Sequence, residues 1–141
     1  MLTRRGFAGF ASCAICAATG FIATDASAAE SVPPAATPGI TRKILSQMDG
    51  PMPGYVTVIA EAEVEAGATV ARHTHPGIES GYVLEGELDL PIQGQPTRRL
   101  KVGDSFQVPP ETPHAGAKVD QKVRLTSTYV VEKGKPLASP A

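Results

Sequence analysis

His73, His75 and His114 are the three histidines of this 141-residue chain, and with Glu79 they make a set suited to metal ligation. His73 and His75 are two apart, so on a strand both imidazoles leave the same face and can bite one ion. Pro76-Gly77 follows, and a turn there would lead into the next strand and return the Glu79 carboxylate to that ion. His114 comes 35 residues after Glu79, beyond two further predicted strands, and only a closed or folded-over sheet could bring it back. Singly, each residue is ordinary, since a lone His or Glu on a strand is most often plain surface or core structure. As a set without metal, they would enclose a carboxylate and three imidazoles with no evident partners, a costly arrangement.

The elements that must position these groups are strands. Val56, Val58, Ala60, Ala62 and Val64 alternate with polar residues, and Val123, Leu125, Ser127, Tyr129 and Val131 repeat the pattern, so each segment has one core face. Leu88, Leu90 and Ile92 do the same against Glu87 and Asp89. Shorter strands are expected at 41–48, 69–73, 78–84, 97–102, 105–108 and 114–119. Gly50-Pro51, Pro53-Gly54, Ala66-Gly67, Pro76-Gly77, Gly94, Gly103-Asp104 and Pro109-Pro110 break the chain between them. Many short strands at this spacing predict an all-β sandwich or barrel. From residue 29 onward no window shows a helical stripe.

The ends differ in composition. Arg4-Arg5 precede the uncharged run from Gly6 to Thr24, which closes on Ala26-Ser27-Ala28, the order of an export signal over residues 1–28. The run is built from small residues with few large aliphatics, which suits a removable leader better than a membrane span. Thr3-Arg4-Arg5-Gly6-Phe7 resembles the twin-arginine pattern, with a general secretory signal as the alternative. Cleavage near Ala28 would place the mature chain in the periplasm or outside the cell, without a membrane span. Cys13 and Cys16, the two cysteines, leave with the leader, so no disulfide can form. Loss of Arg4, Arg5 and Asp25 takes the formal charge from −1 to −2, and no basic patch argues for nucleic acid. Residues 29–40, rich in Pro and Ala, predict a linker, 41–132 the barrel, and 133–141 a flexible tail.

Gly67, His73, His75, Glu79 and Gly86, at the spacings they have here, resemble the first motif of the cupin superfamily. Gly103, Pro109 and His114 resemble its second. The resemblance implies a single-domain jelly-roll barrel of antiparallel strands with His73, His75, Glu79 and His114 around one divalent transition metal. Fe(II) or Mn(II) would be usual in such a site, while Ni, Co, Cu and Zn also suit three imidazoles and a carboxylate. It further implies a small-molecule ligand and a homodimer, for which 41–48 and 122–131 are candidate interfaces. Glu111 stands where the second motif usually has Gly, and Lys118 where it has Asn. A glycine there permits positive φ, so Glu111 predicts an altered turn or mild strain.

Gln107, Glu111 and Tyr129 are the candidate pocket residues, and Arg72 adjoins a ligand. The function expected first is a metal-dependent oxygenase of a small organic substrate. A decarboxylase or isomerase, for which Glu111 is the candidate acid or base, and a non-catalytic periplasmic binding or metal-storing protein are the alternatives.

Overall fold

The computed structural model describes residues 37–141; the expected export signal, its two cysteines and most of the expected 29–40 linker lie outside them. The chain order is β1 (Ile40–Asp49), β2 (Tyr55–Val64), β3 (Val70–Thr74), β4 (Gly77–Glu85), β5 (Glu87–Leu90), β6 (Arg98–Lys101), β7 (Ser105–Val108), β8 (His114–Gly116), β9 (Val123–Glu132) and β10 (Ser139–Pro140). No helix is present among the described residues, so none could cross a membrane.

Two layers result. One is the sheet β1-β2-β9-β4-β7 and the other begins as β10-β3-β8, every pair antiparallel. Backbone bonds from Gln93 N to Pro113 O, Ala115 N to Pro91 O and Ala117 N to Asp89 O, at 2.9, 3.2 and 3.0 Å, tie β8 to the chain leaving β5. Through them the β5-β6 hairpin extends the second layer. This is the jelly-roll form of an all-β fold.

Alternation decides what fills the space between layers. The β2 residues Val56, Val58, Ala60, Ala62 and Val64 are buried and pair in register with Val131, Tyr129, Ser127, Leu125 and Val123 of β9, also buried. Leu88, Leu90, Ile92, Leu100, Phe106 and Val108 close one end of the core, and Val56, Val58, Tyr129 and Val131 the other. Burying one such aliphatic side chain contributes about 1.5–3 kcal/mol, so this interior is the main source of stability.

Two expectations change. Residues 133–141 are not a loose end: β10 pairs with Thr74 and His73 of β3, Ala141 N donates to Arg72 O at 3.2 Å, and Leu137 packs on the Val56 cluster. A two-residue strand is too short to show alternation, so nothing in its composition announces the pairing. Segment 122–131 offers no edge, because β9 is hydrogen-bonded to β2 on one side and β4 on the other, so of the edge strand and outer barrel face expected to pair it has only the outer face. Of the two proposed interface strands only β1 lies at a sheet edge, and it exposes Ile44, Leu45 and Met48.

Candidate metal centre

The register of the strands assembles the site. His73 of β3 pairs directly with His114 of β8, so both rings rise from the same face, with centroids 4.2 Å apart. His75 lies just past the end of β3, its centroid 4.8 Å from that of His73 and 5.0 Å from that of His114. From the opposite layer Glu79 of β4 pairs with Tyr129 of β9, and Ser127, two residues earlier on β9, shares that inward face. Three nitrogens, one from each histidine, lie within 4.8 Å of one another and could hold a metal ion.

The backbone sets the protons on these rings. His73 Nδ1 donates to Ala71 O at 2.8 Å, His75 Nδ1 to Leu137 O at 2.5 Å and His114 Nδ1 to Thr112 O at 3.0 Å. A carbonyl can only accept, so each Nδ1 carries hydrogen, and a ring without a second proton presents its Nε2 lone pair to the centre. His75 Nε2 is buried 3.1 Å from Glu79 Oε2, yet it is not aligned for a hydrogen bond. His114 Nε2 lies 3.1 Å from the same oxygen and is aligned for a hydrogen bond to it. Lone pairs facing a carboxylate oxygen repel unless a second proton or a cation stands between them, and an ion among the three nitrogens removes the conflict.

The carboxylate is held from its other side. Ser127 Oγ and Tyr129 Oη donate to Glu79 Oε1 at 2.8 and 3.0 Å. Burial alone would raise the acid's pKa, but the imidazoles of His114 and His75, where their Nε2 carries a second proton, and the Ser127 hydroxyl outweigh it and hold Glu79 well below the usual carboxylate range. Burial, and then the charge of Glu79, push the Tyr129 phenol well above its ordinary value, so it remains a neutral donor. Burial also draws His73 down to about 4, against the Ala71 carbonyl, which works the other way; its ring is neutral at neutral pH, as ligation requires.

Of the other candidates, Tyr129 lines the cavity and Gln107 and Glu111 do not. Gln107 is exposed on the outer face of β7 and donates to Ser80 Oγ at 3.1 Å, while Phe106 and Val108 point inward. Arg72 reaches out to Gln93 Oε1 at 2.6 Å. Glu111 is exposed in the turn before β8, where its N–H donates to His75 O at 2.9 Å. Its φ of 53° makes it the one non-glycine residue with positive φ among those described, so the turn keeps its left-handed form and the side chain bears the strain. Glu111→Gly should therefore raise stability by about 1 kcal/mol, read as a higher urea midpoint at unchanged slope. An equal or lower midpoint would show that the strain is relieved elsewhere.

Ser127, Arg42 and the Leu137 carbonyl were missed. Ser127 and Arg42 had a signal, each being polar within an apolar alternation, but a main-chain oxygen carries none.

A family model of the cupin domain matches residues 60–131, just over half of the chain. The chain is a cupin. No curated protein sequence matches it. Among solved structures, this cupin resembles KdgF from Halomonas sp. at 26% identity and TM-score 0.56, over 69% of this chain and 84% of that one. It also resembles the DMSP lyase DddQ from Ruegeria pomeroyi at 25% identity and TM-score 0.57, over 60% of this chain but only 43% of the lyase. A salicylate 1,2-dioxygenase from Pseudaminobacter salicylatoxidans, 22% identical with TM-score 0.54, shares the fold over 66% of this cupin and 26% of its own length.

Proposed function

We propose that this cupin holds one divalent transition metal, Fe(II) or Mn(II) by preference, on Nε2 of His73, His75 and His114 and the carboxylate of Glu79, and that it is an oxygenase of a small organic substrate. The observation that carries the metal reading is the common tautomer: three backbone carbonyls fix the Nδ1 protons of three clustered imidazoles, and the Nε2 atoms of two of them, His75 and His114, lie against the Glu79 carboxylate. Such an ion supplies Lewis acidity and, if redox-active, one-electron chemistry with dioxygen.

What the chain adds is a small cavity of about 50 Å³ beside His73, His114 and Glu79. Val64, Val70, Leu88, Leu90, Phe106 and Leu125 make it largely apolar, which excludes water and offers little that oxidation would damage. Tyr129 is the phenol in its wall, and its proton is committed to Glu79 Oε1. With His73, His114 and Glu79 committed to the ion, no other lining group among the described residues is poised to accept a proton, and the ion is the best candidate for the reacting centre.

Tyr129 also supports a second reading. Were substrate to displace it from Glu79, its hydroxyl could relay a proton, which would suit a lyase or isomerase and accords with the likeness to the DMSP lyase. Export to the periplasm, as the leader suggests, is compatible with either.

Oxygen consumption by iron-loaded protein, tested against small acids, phenols and thiols, decides between them. Uptake stoichiometric with product is the expected result. Turnover that continues unchanged without oxygen would replace the oxygenase reading by the lyase or isomerase one. Saturable binding without turnover in either gas would leave a binding protein.

A further inference from the structure

One charged group in the cavity has no role in the site as described. Arg42 lies on the edge strand β1 opposite Ala62 of β2, between Ile40 and Ile44 on the same face, and it lines the cavity with His73, Glu79, His114 and Tyr129. Its Nε is buried and makes no hydrogen bond, and the side chain forms no ion pair among the described residues. Arg99 and Arg124 by contrast both find carboxylates on the outer surface.

Glu79 is not the missing partner. Its Oε1 is taken by Ser127 and Tyr129, and its Oε2 faces His75 and His114. A guanidinium cannot shed its charge at any biological pH, and its planar fork of donors matches a carboxylate. With a divalent ion bound, the Glu79 carboxylate would offset only part of the positive charge, and the aliphatic walls would strengthen what remained.

We propose that Arg42 is the anion anchor of this pocket and that its substrates are small organic acids, whose carboxylate pairs with the guanidinium while the rest of the molecule faces the three imidazoles. The assignment rests on the metal-site reading above. It makes Arg42 a specificity-determining residue. A cavity of about 50 Å³ suits an acid of a few carbon atoms, and the aliphatic wall suits a short hydrocarbon portion. Neutral analogues of the same shape would leave the buried Nε and the charge of Arg42 without an anionic partner, and charged amines would be repelled.

Propionate and propionamide share size and shape and differ in charge, so they isolate the contribution of Arg42. Their affinities for the cobalt-loaded full chain can be read from saturation transfer to the ligand methyl group, with cobalt content measured on the same samples. The native protein should prefer propionate by about tenfold or more, as charge-assisted pairing implies. In Arg42→Gln the preference should fall to about threefold or less with cobalt content unchanged, and Arg42→Lys should keep part of it. Equal binding of the two probes by the native chain would overturn the proposal. So would a full preference surviving in Arg42→Gln, which would assign the attraction to the metal alone. Failure of the underlying metal reading would appear separately, as a native chain that retains no cobalt while its probe preference is still measured.

Discussion

Replacing His75 by alanine is expected to empty the metal site and abolish the thermal stabilisation that metal confers. His75 is 1% exposed, its Nδ1 is fixed by Leu137 O and its Nε2 has no aligned partner among the described residues, so this nitrogen is the group most in need of an ion. Metal content should fall from about one equivalent to near zero on dialysis. An ion at a hundred times its Kd stabilises a native protein by about 2.7 kcal/mol, on the order of 10 °C in melting temperature for a domain of this size. The native chain should show that shift between chelated and reloaded samples, and His75→Ala should show none. Comparing each protein with its own chelated form removes the cost of the cavity left by the ring. Unchanged metal content in the variant would mean that the ligands are incidental.

The largest loss of stability should follow from adding one methyl group at Gly77. This residue starts β4 beside Val131 of β9, and a Cβ there would overlap the Val130 carbonyl oxygen and crowd the Val131 Cα. Both obstacles are backbone, so no rotamer change relieves them and β4 must separate from β9. Gly81 also lacks room, but its obstacle is the Phe106 ring, which can tilt. We expect Gly77→Ala to cost about 3 kcal/mol or more, near the upper end of overpacking penalties, and Gly81→Ala to cost less. Because Glu79 is two residues further on and is held by Ser127 and Tyr129 across the same pairing, metal affinity should fall with stability. Urea unfolding of the chelated proteins and metal titration of the intact ones measure the two effects; a variant as stable as the native chain would mean that the β4–β9 spacing is not rigid.

Much of this architecture was readable in residue order, and the reasons are local. The β2 and β9 alternations are long and unbroken, so their inward faces followed from the period of two. The spacing of His73, His75 and Glu79 around Pro76-Gly77 likewise spoke for itself. Gln107 was offered as a pocket residue although the same parity that put Phe106 and Val108 inside puts it outside. Glu111, the candidate acid or base, sits in a left-handed turn and is exposed to solvent. Arg42 was legible as a cation in an apolar row, whereas its nearness to the histidines depends on how two layers close. The return of the last residues onto β3 had no local sign, because it is made of main-chain bonds that any sequence could form.

That return gives the site a timetable. Leu137 lies 62 residues beyond His75, and its carbonyl fixes which ring nitrogen bears hydrogen. During translation all four proposed ligands are synthesised before this oxygen is, and β9, on which β2 and β4 both pair, also follows them in the chain. Until the ribosome has passed Leu137, His75 is free to offer the wrong nitrogen. Capture of the proposed ion in this geometry would therefore follow closure of the barrel instead of seeding it.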